Sequence, residues 1–100
     1  MSAWCYVLRP TRIESLTDPT DVEREVVGKH FAHLERLLAD GSLVIAGPSP
    51  AGADTFGIVV LECEEDEARR AMEEDPAVVG GVMTGRLQPF RIALLRGRDE

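Results

Sequence analysis

Cysteine, histidine and aromatic residues are scarce in this chain. Its two cysteines, Cys5 and Cys63, make no disulfide framework, and neither stands in a CxxC or Cys/His cluster of the kind that binds zinc. Both lie in apolar contexts and read as reduced core thiols, which points to a cytoplasmic protein. Basic residues are few, 11 against 18 acids, for a net charge of −7. A nucleic-acid backbone needs a basic face, so nucleic acid is not an expected partner. No apolar run approaches the roughly 20 residues that span a bilayer, and no membrane association is expected. The opening Met1-Ser2-Ala3-Trp4 lacks the basic stretch of a signal peptide, and Arg9-Pro10 closes the apolar run that follows. P-loop, GxGxxG, serine nucleophile elbow and HExxH are missing, which disfavours phosphoryl transfer and zinc hydrolysis. No metal site and no cofactor are expected.

What is present suits a small globular domain. Of 100 residues, 44% are hydrophobic and 29% charged, and residues 1–100 are read as a single domain. A chain of this size buries about two-thirds of its unfolded surface, enough for one core. The acidity is local: Glu62 to Asp75 holds eight acids against Arg69 and Arg70. Without the spacing of a calcium loop, that run reads as a solvated helix face.

The segment Ala3-Trp4-Cys5-Tyr6-Val7-Leu8-Arg9 is β-prone and is stopped by Pro10. A polar loop reaches to about Pro19. Thr20 and Glu23 have the spacing of a capping box, and Val22, Val26, Val27, Leu34, Leu37 and Leu38 recur at helical spacing up to a left-handed cap at Gly41. Leu43-Val44-Ile45-Ala46 is a short strand ended by Gly47-Pro48, and a turn-rich, mobile loop Ser49–Asp54 follows. Phe56 to Glu62 is a third strand. Glu64 to Glu74 is a second helix with Ala68, Ala71 and Met72 as its buried stripe. Asp75-Pro76 breaks it, Gly80-Gly81 turns the chain, and a last strand is expected over Arg86–Leu95. The tail Arg96-Gly97-Arg98-Asp99-Glu100 is expected to fray.

The order β-α-β-β-α-β is that of an α+β ferredoxin-like fold, a four-stranded antiparallel sheet with two helices on one face. The first and third strands are read as parallel central neighbours, which would hold Cys5 and Cys63 most of a strand length apart, roughly 15–20 Å. In the third strand Phe56, Ile58 and Val60 face one way and Val59 and Leu61 the other; in the last strand Phe90, Ile92 and Leu94 oppose Ala93 and Leu95. Two helices cover only one face, so the other calls for a second copy of the sheet, a homodimer through the sheet face.

Few residues can carry chemistry. On a wheel of about 100° per residue, His30 falls in the middle of the apolar stripe of the first helix and His33 at its margin. A buried imidazole needs partners, so His30 is either a satisfied core histidine or a general acid/base. Asp75 before Pro76 is an N-cap by local sequence, and its second oxygen can still orient an imidazole. Arg9 closes the first strand and can clamp an anion or pair with a nearby acid. Trp4, Tyr6 and Phe90 suit either a planar ligand or plain core. Arg9, Tyr6, Gly47 and Pro48 are the substrate-binding candidates.

Several motifs share an order and spacing with a known family. His30-Phe31-Ala32-His33-Leu34 with Gly41, Leu43-Val44-Ile45-Ala46-Gly47-Pro48, Glu67-Ala68-Arg69, Asp75-Pro76-Ala77-Val78, Gly81-Val82 and Pro89-Phe90 together resemble the YciI-like (YCII-related) family over about Trp4 to Leu94. The resemblance implies a dimeric α/β barrel, in which two ferredoxin-like protomers stack their sheets, and an acid/base pair of His30 and Asp75. By this spacing His33 is not the motif histidine. The branch with an Asp-Gly-Pro-Phe motif is not matched, since Ala46 and Ser49 flank Gly47-Pro48.

The expected function is a cofactor-independent acid/base enzyme of lyase or isomerase type, with His30 and Asp75 acting on a small hydroxylated or carboxylated compound. The alternative is a non-catalytic small-molecule-binding or accessory domain, in which the pair only rigidifies a polar core.

Overall fold

The computed structural model of the chain describes residues 2–52 and 54–98. Strand β1 (Ala3–Pro10) is followed by a 3-10 turn (Ile13–Leu16), helix α1 (Asp21–Ala39), strands β2 (Leu43–Pro48) and β3 (Gly57–Leu61), helix α2 (Glu65–Glu73), the one-turn helix α3 (Pro76–Val79) and strand β4 (Met83–Phe90). The sheet order is β2-β3-β1-β4 with every neighbouring pair antiparallel. This is the expected α+β ferredoxin-like arrangement.

One expectation about the sheet is overturned. β1 and β3 run antiparallel, with Trp4 opposite Leu61 and Cys5 opposite Val60. The crossover through α1 returns β2 parallel to β1, and the hairpin after β2 then reverses the chain, so β3 enters between them antiparallel to both. Cys63, just past β3, therefore lies at the same end of the sheet as Cys5. The pleat still separates them: Cys63 packs on the helix-side core with Leu61, whereas Cys5 alternates to the other face. Both thiols are free, and burial raises the pKa of each.

The last strand also differs from its expected span. Ala3 pairs with Phe90 and Pro10 with Met83, so β1 sets both ends of β4. Beyond Phe90 there is no stretch of β1 left to pair with, and Ile92, Leu94 and Leu95 lie outside the sheet. The tail does not fray at Arg98, whose guanidinium grips both oxygens of Glu62 at 2.8 and 3.0 Å. Asp99 and Glu100, and Ala53 of the loop after β2, lie outside the described residues.

The core forms between the sheet and the helices, from Tyr6, Leu8, Leu43, Val59, Leu61, Ala68, Ala71 and Met72. Helix α2 buries its expected stripe and places Glu65, Asp66 and Glu67 in its first turn, where the helix dipole favours acids. Helix α1 begins at the predicted capping box, Thr20 Oγ1 accepting from Glu23 N–H while Glu23 accepts from Thr20 N–H. It ends with Gly41 at φ +91°, Ser42 N–H bonding to Leu37 O and Gly41 N–H to Leu38 O, the paired bonds of a Schellman cap. Its apolar stripe is not buried as expected. Only His33 is buried in α1, while Val27, Phe31 and Leu38 remain exposed. One edge of the helix packs on α3 and reaches α2 through His33; Leu34 and Leu37 pack on the core beside β2, and along Val27, Phe31 and Leu38 a cleft opens toward β2 and β3.

Candidate active site

Asp75 sits at the joint between α2 and α3. As the N-cap of α3, with Pro76 in the first turn, it accepts from Ala77 N–H at 3.0 Å through Oδ1. The same oxygen meets His30 Nδ1 at 2.7 Å. Its other oxygen, Oδ2, accepts from the Tyr6 hydroxyl at 2.7 Å. The carboxylate is wholly buried and His30 nearly so, with side-chain exposures of 0% and 12%. The capping role and the pairing with His30 thus coexist on one side chain.

Charge in this cluster follows from its hydrogen bonds. Burial pushes the Asp75 carboxyl up, but the hydrogen bonds from His30, Tyr6 and Ala77 outweigh it and hold the group below its ordinary pKa. Tyr6 moves the other way: burial, then the adjacent Asp75 charge and their hydrogen bond, raise its pKa, so the phenol keeps its proton. An ionised carboxylate only accepts, so Nδ1 of His30 must carry the proton it shares with Asp75. In the neutral ring the lone pair then sits on Nε2.

Two contacts fix α1 against the carboxylate. His33 is buried, and its Nε2 donates to Ala71 O at 2.8 Å, pinning α1 to α2. A Cβ built on Gly80, at the end of α3, would lie 3.0 Å from Pro76 O and 3.2 and 3.3 Å from the two methyls of Val26. The bare glycine permits this close approach of α1 and α3. Val26 precedes His30 by one helical turn, so the same approach brings the imidazole to Asp75.

His30 also lines an open cleft of about 570 Å³ between the loose edge of α1 and strands β2 and β3. Gly47 and Pro48, both substrate-binding candidates, line it as well. Tyr6 is not in its lining; it stands behind Asp75. Arg9 is not brought to the pair either. It alternates to the opposite face of the sheet from Tyr6 and Leu8, with its guanidinium 5.7 Å from the centre of the Phe56 ring. Of the two sequence readings of Tyr6, pocket wall or core, the structure shows the core, and its bond to Asp75 was not foreseen. The available signal was a lone phenol on the inward register of an apolar strand, which needs a hydrogen-bond partner when buried. Among the described residues no group of three or more His, Cys, Asp or Glu side chains is arranged to hold a metal. No helix among them is long and apolar enough to cross a membrane.

The YCII-related domain family matches over residues 5–90. No curated protein matches. A solved structure of similar fold is the 5-chloro-2-hydroxyhydroquinone dehydrochlorinase of Burkholderia phenoliruptrix AC1100, in complex with 2,5-dihydroxybenzoquinone. It shares 24% identity over 88% of this chain and 93% of its own, at a TM-score of 0.62.

Proposed function

The chain belongs to the YCII-related domain family, and we propose that it is a cofactor-independent acid/base enzyme in which Nε2 of His30 moves a proton on a small molecule held in the cleft. The observation that carries this reading is the division of the ring. Nδ1 is committed to a buried carboxylate at 2.7 Å, and the same residue lines an open cleft. Asp75 sets the tautomer and stabilises the imidazolium once it forms, as the third member of a catalytic triad does. Tyr6 and Ala77 N–H hold the carboxylate in place.

In the proposed step Nε2 takes a proton from a carbon beside a carbonyl or hydroxyl-bearing carbon. The C–H electron pair becomes part of a new double bond. In an elimination a leaving group departs with its own electron pair; in an isomerisation Nε2 returns the proton to a different carbon. A positioned base of this kind contributes about 10²–10⁴-fold. The fold neighbour is named a dehydrochlorinase, which agrees with elimination chemistry on this architecture. A homodimer through the face of the sheet away from the helices completes the reading, since Val7 and Ile58 there are apolar and only half-buried, beside Cys5 and Val60, which are already buried within one chain.

The test is proton exchange in deuterium oxide with a panel of enolisable ketones and hydroxyarenes, read by mass. Wild type should incorporate deuterium into at least one compound, and His33→Ala, which loses a positioning contact, should do so at a reduced but measurable rate; His30→Ala and Asp75→Asn should not, and the double variant should be no worse than either single. Exchange that survives His30→Ala but is lost in His33→Ala overturns the assignment.

A further inference from the structure

The cleft beside His30 carries no positive charge. Among the described residues that line it there is no lysine or arginine, and the ionisable side chains are His30 and Glu35 alone. Three basic side chains on neighbouring elements, outside that lining, have partners of their own. Arg9 is not in the lining; its guanidinium is stacked 5.7 Å from the ring centre of Phe56, at the cleft's border. Arg12 is held bidentate by Glu23 at 2.7 and 3.0 Å. Lys29 on α1 pairs with Glu25. The Thr55 hydroxyl, which also borders the cleft, donates within its own loop to the carbonyls of Pro50 and Gly52. The rest of the wall is aliphatic and aromatic, with Phe31 and Phe56 among its exposed members.

A carboxylate or phosphate entering this space would shed water without gaining a counter-charge, and would meet Glu35. A neutral molecule loses little, buries its apolar body against the wall, and can present one polar group to His30. We propose that the site takes uncharged, apolar-bodied molecules bearing a hydroxyl or ketone, and rejects carboxylates and phosphates. This rests on the acid/base reading and narrows it, because the residue types alone admit hydroxylated and carboxylated compounds equally. The cleft volume is within the roughly 300–1,000 Å³ of ordinary small-molecule sites.

Two probes of matched shape test the inference: 4-hydroxyacetophenone, neutral at its acetyl group, and 4-hydroxybenzoate, anionic at the same position. Binding to the full chain at neutral pH is followed by calorimetry, with the His30 ring protons watched by NMR. The expected result is a preference for the ketone of at least about tenfold in Kd, with His30 shifts that saturate with it. Phe31→Lys, which adds a cation to an exposed cleft position, should shrink or reverse that preference while circular dichroism stays unchanged. Equal or tighter binding of 4-hydroxybenzoate to wild type, or no binding of either probe, overturns the inference. Both outcomes leave the deuterium-exchange comparison of His30 and His33 standing as an independent test of the base. Loss of exchange discrimination between those two histidines would instead remove the base itself, whatever the probes do.

Discussion

Tyr6 and His30 donate to opposite oxygens of one carboxylate, the phenol to Oδ2 and the imidazole Nδ1 to Oδ1 of Asp75, each at 2.7 Å. They come from different elements, a central strand and the first helix. The carboxylate between them is therefore fixed from the sheet below and from α1 beside it, with Ala77 N–H as a third anchor. A group held at three points cannot turn, and the plane of the His30 ring is set by the strand as well as by its own helix.

Removing the phenolic oxygen tests that arrangement. Tyr6→Phe keeps the ring in the core and takes one hydrogen bond from a buried charge, which should cost about 1.5–3 kcal/mol in urea denaturation. Turnover should fall through kcat rather than KM, because Tyr6 stands behind Asp75 and not in the cleft wall. A purely structural tyrosine would lower the denaturation midpoint and leave kcat alone.

The two pKa shifts bound a window of stability. Asp75 is held below its unfolded value, so its contribution is complete above about pH 4 and is lost as pH falls through the lowered folded value. Tyr6 is held above its unfolded value, so its contribution is complete below about pH 10 and is lost as pH rises beyond it. The chain contains one tyrosine, so phenolate absorbance reports Tyr6 alone. Folded protein should show no phenolate where free tyrosine is half ionised, and the signal should appear together with loss of helix. A smooth titration at the ordinary pKa in folded protein would contradict the bond to Asp75.

Gly80 is expected to behave as a spacer. Gly80→Ala places a methyl against Val26 and pushes α1 from α3 by a few tenths of an ångström. The downfield His30 Nδ1 proton should weaken, and exchange activity should drop about tenfold or more. Val26→Ala in the same chain removes the two methyls that the new Cβ meets, leaving its approach to Pro76 O, and should restore part of both signals. Failure of the second substitution to rescue the first would show that the two helices are not set by this contact.

The dimer is best probed at Ile58, half-buried on the face of the sheet away from the helices. Val60 is unsuitable, because it is 3% exposed within a single chain and Val60→Asp would unfold the protomer as well. Light scattering at micromolar concentration should give a dimer for wild type and a monomer for Ile58→Asp with unchanged secondary structure. A monomeric wild type removes the dimer.

The sequence carried the element order because its punctuation is local. Thr20 with Glu23, Gly41, and Asp75-Pro76 each specify a helix end through bonds made within a few residues. His30 was legible for a related reason, since a polar ring in the centre of an apolar stripe is visible from spacing alone. The span of β4 was not, because its ends are decided by Ala3 and Pro10 of a distant strand. The same holds for the antiparallel pairing of β1 with β3, and with it the place of Cys63. Tyr6 on Asp75 needed the sheet, α1 and α3 to be assembled before the phenol and the carboxylate became neighbours. The cleft escaped the stripe argument too, since periodicity marks which side of α1 is apolar and not how closely that side meets β2.

The two edges of α1 differ in what a change of residue does to the protein. Val26, His30 and His33 lie along the docked edge, where substitution disturbs helix packing or the charge cluster. Val27, Phe31 and Leu38 border the cleft at 41%, 62% and 58% exposure, and substitutions at such positions typically shift stability by only about 0.5 kcal/mol either way. On the proposed function, ligand preference and folding fall on separate residues of one helix. On that reading, a lineage carrying this chain can exchange the molecules it accepts by drift along one edge, while His30 on the other stays locked in register.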